Sequence, residues 1–330
     1  MPNPPLRWGL LSTANINRSL ITPLRTSARN KLVAVASRDG FKAKAYAAEW
    51  KIEHAFDSYE AMLASPTIDV VYISLPNSLH AEWTVKALRA GKHVLCEKPF
   101  ATTLADVDRM ILAQSETGMI MSEAFMYRHH PQTLKVQELI KSGAIGEVRL
   151  VRGSFTFTLA DRSNVRVNAS LDGGSIWDVG CYPISFARTI IGAEPVEVSA
   201  MQVVGDSGVD ESFFGTMCFA SGAYAQFDSG FHAPFRTNIE ITGSEGVIVV
   251  PRPFKPNAHE TFFLGKASDN LEPVKVDGPE HLYTGEIDDM ADAILDHKAP
   301  RINAEDSRAN VATILALLQS AIDRRTIGIK

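Results

Sequence analysis

Short apolar runs alternate with helix-period stretches through the first third of the chain, and this alternation limits the fold more than any other feature. The runs cover residues 6–11, 31–37, 69–74, 92–96 and 118–122. Strands that alternate with helices form a mostly parallel sheet with right-handed crossovers. Ligands on such sheets bind beyond the carboxyl ends of the strands. Every polar residue that directly follows one of these strands is therefore a candidate site residue.

Length and composition narrow the class of protein. A chain of 330 residues favours two domains, and we predict a boundary between residues 123 and 124. A net charge of −5 gives no electrostatic basis for binding nucleic acid or an anionic membrane. No run approaches the roughly 20 apolar residues of a membrane span, and the first residues lack an apolar signal core. Three scattered cysteines indicate free thiols in a reducing compartment, so we expect a cytoplasmic protein.

The first strand-to-helix turn, from Gly9 to Asn17, is placed where a dinucleotide-binding fold holds its phosphates. A dinucleotide fingerprint would have glycine at positions 12, 14 and 17, but this chain has Ser12, Ala14 and Asn17. Small residues at 12 and 14 still allow phosphate to approach backbone N–H groups at a helix N-terminus. A plain tight turn is the alternative. The βα context favours a Rossmann-type α/β domain whose cofactor contacts come from Ser12, Thr13, Ala14, Asn15 and Ile16.

The second strand ends in Ser37-Arg38-Asp39, where the cofactor's adenosine ribose is expected. A hydroxyl and a guanidinium suit the 2′-phosphate of NADP(H), because arginine makes forked, charge-assisted contacts with phosphate. We therefore predict that NADP(H) is preferred. Asp39 keeps NAD(H) possible, since a carboxylate can accept from a ribose 2′-hydroxyl. A solvated arginine at a strand end is the alternative for Arg38.

The second half changes to strand-like runs separated by glycine-containing turns, beginning at Glu147. These runs predict an α+β domain over residues 124–330 with a large, mostly antiparallel open sheet. Helices are predicted at 131–141, 285–296 and 305–324, and the last of them should pack back toward the first domain. An open sheet must cover its second face, so we expect self-association as a homodimer or homotetramer.

A glycine pair, Gly173-Gly174, leads into a helical run that contains Asp178 and Tyr182. At a spacing of i and i+4 the two side chains share a helix face. Pro183 cannot donate a backbone hydrogen bond and predicts a kink or a loosened turn. A plain helix-face carboxylate and a packed aromatic ring are the alternatives. With Lys98 at a strand end, the three residues form a set able to transfer protons beside a hydride transfer.

Three sequence blocks resemble the glucose–fructose oxidoreductase / inositol dehydrogenase / rhizopine-catabolism (Gfo/Idh/MocA) family. The first is Pro76-Asn77-Ser78-Leu79-His80, which is similar to the family's Pro-Asn-x-x-His loop. The second is Gly91-Lys92-His93-Val94-Leu95-Cys96-Glu97-Lys98-Pro99, and the third runs from Gly173 to Tyr182. Tyrosine at position 182, where inositol dehydrogenases have histidine, looks more like the dihydrodiol dehydrogenase, xylose dehydrogenase and deoxysugar ketoreductase branches.

The resemblance implies a hydride transfer between a nicotinamide cofactor and a sugar-like or cyclic alcohol substrate. It implies that Lys98 and Tyr182 are catalytic, with Tyr182 as general acid/base, Lys98 polarising the substrate oxygen and Asp178 hydrogen-bonding the substrate or orienting Lys98. Arg128 is placed with Lys98, Asp178 and Tyr182 at the substrate, and His129 of the same segment is the alternative for that substrate contact. Further cofactor contacts are expected from Leu75, Asn77, His80, Glu97, Lys98 and Arg166. No metal site is predicted, since adjacent histidines such as His129 and His130 diverge.

Two other functions occur in the same family and stay open from the sequence. A regulator could sense NAD(P) without turnover, and a glycosidase could use NAD as a transient oxidant. A sensor would be expected to tolerate loss of Lys98 or Tyr182, and the presence of both favours an oxidoreductase.

Overall fold

The computed structural model describes residues 4–329, which divide into two compact units. The first unit holds the described residues up to His129 together with His281–Arg308, and the second holds His130–Glu280 and the described residues from Ala309 onward. That residues 1–123 and 124–330 form independent domains stays a prediction, and residues 1–3 and 330 of those ranges lie outside the described part of the chain.

The first unit is built on a parallel sheet. Within the described residues it has six strands in the order β3-β2-β1-β4-β5-β6, which is the order of dinucleotide-binding folds. The strands are β1 (Leu6–Leu11), β2 (Asn30–Ala36), β3 (His54–Phe56), β4 (Val70–Ile73), β5 (His93–Glu97) and β6 (Met121–Ala124). The helices that join them are α1 (Arg18–Thr26), α2 (Gly40–Glu49), α3 (Tyr59–Ala64), α4 (His80–Arg89) and α5 (Leu104–Thr117).

This sheet confirms the predicted α/β fold and corrects it at two strands. The short strand β3 was not among the predicted runs, and β6 begins three residues later than predicted. Gly118, with φ of +69°, ends α5, and the chain then needs residues 119 and 120 before Met121 pairs with Val94 of β5. The Thr103 side chain caps α5 by accepting from the Asp106 N–H.

Strands buried on both faces give the first unit its core. Trp8, Leu10, Tyr72 and Leu95 are fully buried, and the Trp8 indole donates to the Asn30 side chain at 2.8 Å. Helix α8 (Thr284–Leu295) adds Ile287, Met290 and Ala291 to the same cluster. The carboxyl ends of β1, β4 and β5 are thereby held rigidly, and the predicted site residues follow them.

The second unit is built on a larger sheet that is mostly antiparallel. Across residues 130–280 and 309–329 it has nine strands in the order β14-β13-β12-β11-β7-β10-β9-β8-β15. They are β7 (Val148–Thr158), β8 (Pro195–Val204), β9 (Asp210–Phe219), β10 (Tyr224–Gly230), β11 (His232–Gly243), β12 (Val247–Val250), β13 (His259–Ala267), β14 (Asn270–Asp277) and β15 (Ile327–Gly328). The central pair β7 and β10 is parallel, and the sheet is otherwise antiparallel, which confirms the mostly antiparallel sheet that the sequence predicts. The chain between them returns through a helix and two strands.

Three helices complete the second unit: α6 (Pro131–Lys141), α7 (Cys181–Ile191) and α9 (Ala304–Asp323), the last of which begins in the first unit. A Cβ atom at Gly153 of β7 would meet Pro183 of α7, and one at Gly215 of β9 would meet Leu317 of α9, so these helices cover one face of the sheet. The opposite face, which we call the outer face, exposes Met201, Val203, Phe214 and Tyr224.

Two further observations concern the chain as a whole. None of the helices within residues 4–329 has the length and apolar character needed to cross a membrane. Cys96, Cys181 and Cys218 are all free thiols, as the scattered cysteines indicate.

Candidate active site

The turn after β1 takes a conformation that favours glycine, although its residues are Ser12 to Asn17. Ser12 has φ of +148°, a region that residues with a side chain rarely occupy. The Asn17 amide donates to the Ser12 carbonyl at 2.8 Å, and the Ser12 hydroxyl lies 2.7 Å from the Ser74 hydroxyl at the end of β4. The Ser12 side chain is thus engaged inside the protein, whereas Thr13 and Asn15 are partly or fully exposed. The contact of this turn with the cofactor phosphates stays a prediction, based on its place before the N-terminus of α1.

Of the three residues after β2, Ser37 and Asp39 make local hydrogen bonds to the backbone, and Arg38 is exposed. Ser37 accepts from the Asp39 N–H at 3.2 Å, and Asp39 caps α2 by accepting from the N–H groups of Phe41 and Lys42. The Arg38 side chain is exposed and reaches the Tyr59 hydroxyl, which lowers the pKa of Tyr59 against the larger rise caused by burial. Asp39, whose carboxylate could favour NAD(H), thus uses one oxygen to cap α2, while Arg38 is exposed.

His80 joins the two loops that carry the first two family-like blocks. Its Nδ1 lies 2.7 Å from the Pro99 carbonyl oxygen and its Nε2 lies 2.8 Å from the Leu75 carbonyl oxygen. Carbonyl oxygens only accept, so both contacts are hydrogen bonds only when the ring is doubly protonated. The pKa of His80 is lowered. Burial is the main cause and the nearby Lys98 ammonium adds to it, and together they exceed the rise caused by the two carbonyls. Both ring nitrogens face main chain, so His80 positions the loops of Leu75 and Pro99, beside the 3₁₀ turn at Asn77–Leu79.

Glu97, at the end of β5, is held by groups of the first unit. The Tyr72 hydroxyl donates to its Oε1, and the Lys98 backbone N–H donates to its Oε2 at 3.2 Å. Glu286 of α8 lies near Glu97 with 1% of its surface exposed, and neither of its carboxyl oxygens has a hydrogen-bond partner. Burial, with the charges of Glu97 and Asp289, raises the pKa of Glu286 well above its usual range. These contacts suit a structural role for Glu97, and its cofactor contact stays a prediction.

In the second unit, the glycine pair is required by close backbone contacts. A Cβ at Gly173 would lie 2.5 Å from the Arg166 carbonyl oxygen, and Gly174 has φ of +124° with its Cβ position 2.3 Å from Asp210 Oδ1. Asp210 Oδ2 accepts from the Ser175 hydroxyl at 2.6 Å and from the Ile176 N–H at 2.8 Å. Burial raises the pKa of Asp210 to about 6. A carboxylate on β9 therefore anchors the start of the segment that carries Asp178 and Tyr182.

The loosened turn that Pro183 predicts is present. Ile176–Gly180 form one turn of π-helix, and α7 begins directly after it at Cys181. Such turns frequently mark functional sites. A π-helical turn holds more residues per turn than an α-helix. The expectation that Asp178 and Tyr182, four residues apart, share one helix face therefore does not follow from α-helical geometry.

Asp178 is paired with Arg166, a pairing that the sequence did not suggest. Arg166 Nε donates to Asp178 Oδ2 at 2.7 Å, and the carboxylate side chain is 12% exposed. The structure thus brings together a predicted cofactor residue and a predicted catalytic residue. Asn164 fixes the same loop by accepting from the Arg166 N–H.

The Tyr182 ring packs in an aromatic cluster. Phe155 and Phe254 lie 5.3 and 5.4 Å from it, measured between ring centroids, and Phe155 stacks on Phe254 at 5.5 Å. Lys255 brings its ammonium to 5.8 Å from the Phe155 ring. Phe254 and Lys255 lie in a segment with no periodic pattern, so the sequence carried no signal for them. The cluster fixes the ring plane, which is what a precisely placed phenol requires.

Arg128 and His129 are held inside the first unit. Arg128 Nη1 donates to Asp306 Oδ2 at 2.9 Å with its side chain 10% exposed, and His129 Nε2 lies 3.4 Å from Asp289. These contacts suit a structural role, and the substrate contact of Arg128 stays a prediction. Within residues 4–329, no group of three or more histidine, cysteine or acidic side chains is placed to hold a metal ion.

The predicted site residues fall into two sets, one in each unit. The turn at Ser12, the Ser37-Arg38 strand end, and the Leu75, Asn77, His80, Glu97 and Lys98 loops all belong to the first unit. Arg166, Asp178 and Tyr182 belong to the second. Ser74 and Asp210 complete the two sets, and both were missed by the sequence analysis.

Comparison with known proteins gives two family matches. Residues 6–125 match the oxidoreductase family with an NAD-binding Rossmann fold, and residues 133–249 match the GFO/IDH/MocA C-terminal domain. The same order of domains is expected from the three sequence blocks.

Individual relatives are similar over most of the chain. D-xylose 1-dehydrogenase (NADP(+)) 2 of Haloferax volcanii is 34% identical over 96% of this chain and 97% of its own. Trans-1,2-dihydrobenzene-1,2-diol dehydrogenase of Danio rerio is 34% identical over 74% of each chain. The crystal structure of a 3-ketoreductase from Actinomadura kijaniata with NADP and TDP-benzene has a TM-score of 0.89, 31% identity, and coverage of 96% of this chain and 98% of that one. These are the three branches that Tyr182 indicates.

Proposed function

Since this chain belongs to the GFO/IDH/MocA oxidoreductase family, we propose that it is an NADP(H)-preferring enzyme that transfers a hydride between nicotinamide and a CH–OH or keto carbon of a sugar or cyclic alcohol. The observation that carries the proposal is the retention of Lys98 and Tyr182 in structured positions: Lys98 directly follows β5, and Tyr182 lies in the first turn of α7 with its ring fixed by Phe155 and Phe254.

The preference for NADP(H) rests on the end of β2. Arg38 is exposed there, and one oxygen of Asp39 is used to cap α2. A guanidinium supports a 2′-phosphate, whereas a capping carboxylate is less able to accept from a 2′-hydroxyl. The Haloferax relative and the Actinomadura structure carry NADP in their names, which agrees with this preference.

The proposed chemistry divides the work between two side chains. When an alcohol is oxidised its O–H must lose a proton as the hydride leaves carbon, and in the reverse direction the oxygen must gain one. Tyr182 is the general acid/base for that proton, and Lys98 polarises the substrate oxygen. Asp178, oriented by Arg166, hydrogen-bonds the substrate. The bound nicotinamide supplies the hydride acceptor or donor.

The substrate class follows from the relatives and from the site's chemistry. The similar enzymes act, by their names, on a pentose, a deoxysugar nucleotide and a dihydrodiol. All three present adjacent oxygens on a ring. Polar groups beside an aromatic wall, as found around Tyr182, suit such a molecule, because its C–H face is apolar and its edge carries hydroxyls. The outer face suits a second copy of this chain, so the enzyme is proposed to be a homodimer or a dimer of dimers.

Turnover of variants tests the proposal. The purified protein is incubated with NADP⁺ or NADPH and a panel of pentoses, hexoses, their keto forms and trans-dihydrodiols, and absorbance of the reduced cofactor is followed. With an active substrate, Tyr182→Phe should lower kcat by roughly 10²–10⁴-fold, because it removes the O–H and keeps the ring. Lys98→Met should remove most activity, and the double variant should be little worse than the worse single one.

The matched control is Lys92→Met. Lys92 lies just before β5, and its ammonium donates to the carbonyls of Ser65 and Ile68, so its loss should lower stability and leave kcat of the folded enzyme intact. Near-normal turnover by folded Tyr182→Phe would contradict the assigned role. A protein that binds cofactor but reduces none with any substrate would instead be a sensor, and one that cleaves glycosides without net reduction would be a glycosidase.

A further inference from the structure

The turn that should receive the cofactor pyrophosphate lacks all three fingerprint glycines, yet Ser12 adopts φ of +148°. A non-glycine residue in such a region is strained and persists only where its surroundings fix it. The surroundings here are three buried polar side chains: Ser12 with 8%, Asn17 with 0% and Ser74 with 7% of the residue surface exposed.

These three residues form a closed circuit of hydrogen bonds in which each donor and each acceptor can be assigned. Asn17 Nδ2 donates to the Ser12 carbonyl at 2.8 Å, and Asn17 Oδ1 accepts from the Ser74 hydroxyl at 2.6 Å. Ser74 has then used its only hydrogen, so its oxygen accepts from the Ser12 hydroxyl at 2.7 Å. The Ser12 oxygen finally accepts from the Ala14 N–H at 3.1 Å. The Ser12 hydroxyl also lies 3.3 Å from the Ser74 carbonyl oxygen, a longer contact.

The circuit ties the β1 turn to the end of β4. These two strands are neighbours in the sheet, and ligands of wound sheets bind where the strand order reverses. In a glycine fingerprint the tight turn forms because glycine has no Cβ. In this chain the turn, with Ser12 at φ of +148°, is held by side-chain hydrogen bonds across 62 residues of sequence.

We infer that Ser74 is a positioning residue for cofactor binding: through Asn17 and Ser12 it holds the phosphate turn in the conformation that glycines provide elsewhere. The inference rests on the proposed function, because it concerns the pyrophosphate of the same cofactor. Ser74 need not touch the cofactor. Its effect is preorganisation, since a turn that relaxes in the free protein must be reordered when the cofactor binds.

Removing the Ser74 hydroxyl tests this directly. Ser74→Ala leaves Asn17 Oδ1 without its donor and the Ser12 hydroxyl with only the longer contact to the carbonyl oxygen of residue 74, so the NADPH dissociation constant should rise roughly 5- to 50-fold. At saturating cofactor kcat should stay within about twofold, because the groups proposed to transfer the proton are untouched. The matched control is Ser122→Ala, which removes another buried hydroxyl of the first unit, one that donates to the Ile302 carbonyl at 2.9 Å. That variant should bind NADPH like the wild type.

A second pair of variants separates conformation from contact. Ser12→Gly and Ser12→Ala both lose the hydroxyl, but only glycine accepts φ of +148° without strain. Ser12→Gly should therefore bind NADPH at least about 5-fold more tightly than Ser12→Ala. It should also restore affinity to Ser74→Ala when the two changes are combined.

Equal affinity of Ser12→Gly and Ser12→Ala, or an unchanged dissociation constant in folded Ser74→Ala, would overturn the inference. A parallel loss of NADPH affinity in Ser122→Ala would also overturn it, because the effect would then be a general loss of stability. Failure of the wild type to bind either NADPH or NADH would instead refute the proposed function.

Discussion

Replacing Asp210 by asparagine should remove a pH dependence from the stability of this protein. Asp210 is 5% exposed, and burial raises its pKa from 3.8 to about 6. Between these two values the folded state keeps a proton that the unfolded chain has released. The free energy of unfolding therefore falls as the pH rises through this window, and the contribution is lost as the pH rises through about 6.

The size of the effect follows from the shift. A difference of about 2 pKa units, at about 1.36 kcal/mol each, amounts to about 3 kcal/mol across the whole window. From about pH 4.5 to pH 7.5 the fall should be about 2 kcal/mol, because part of it lies below the accessible range. Asparagine keeps an oxygen to accept from the Ser175 hydroxyl and the Ile176 N–H, and it carries no charge at any of these pH values.

Urea denaturation followed by circular dichroism measures the effect. The free energy of unfolding of the wild type minus that of Asp210→Asn should fall with rising pH by the amount given above. Asp269→Asn is the control, since Asp269 is an exposed carboxylate in the turn between β13 and β14. Parallel pH curves for the wild type and Asp210→Asn would refute the reasoning, because Asp210 would then titrate alike in the folded and unfolded chains.

Three further predictions concern cofactor choice, assembly and the glycine pair. Arg38→Ala should weaken NADPH binding roughly 10- to 100-fold and spare NADH, with Arg38→Lys losing less; equal loss for both cofactors in a titration would contradict this. Phe214→Glu should shift the sedimenting species toward monomer, whereas Ile322→Glu, an exposed apolar residue on α9, should not; a monomeric wild type would exclude the dimer. Gly174→Ala should lower the free energy of unfolding by roughly 1–3 kcal/mol more than Gly222→Ala, whose added Cβ meets nothing within 4 Å; equal losses in urea would mean that the clash is relieved.

Local patterns account for most of the fold that the sequence predicts. The apolar run at residues 6–11 coincides with β1, which follows Pro5, and the pattern at 131–141 coincides with α6, which begins at Pro131 and ends just before Gly143. The hairpin β13–β14 is not predicted. Most residues of β14 are exposed or half-buried, so this strand carries no apolar period that a sequence could display.

Long-range pairing is what the sequence could not provide. The parallel contact of β7 with β10 depends on the path of the intervening chain rather than on either strand. Ser74 and Asp210 meet the site segments across 62 and 34 residues, and neither belongs to a local motif. Arg166 and Asp178 were each predicted as site residues, but their ion pair depends on how the chain between them folds. In that segment Gly173 packs closely against the Arg166 carbonyl oxygen. Residue types thus identified the candidate site, and tertiary contacts supply its positioning groups.

Because Ile176–Gly180 form a π-helical turn, the orientation of Tyr182 depends on the number of residues in this segment as well as on their types. A π-turn can be regarded as an α-helix that carries one surplus residue. Adding a second surplus residue would exceed what one such turn absorbs, and everything after the insertion would rotate by about 100° around the axis. Tyr182 would then leave the wall formed by Phe155 and Phe254, even with all of these side chains retained. This stretch should therefore tolerate conservative substitution far better than an inserted residue.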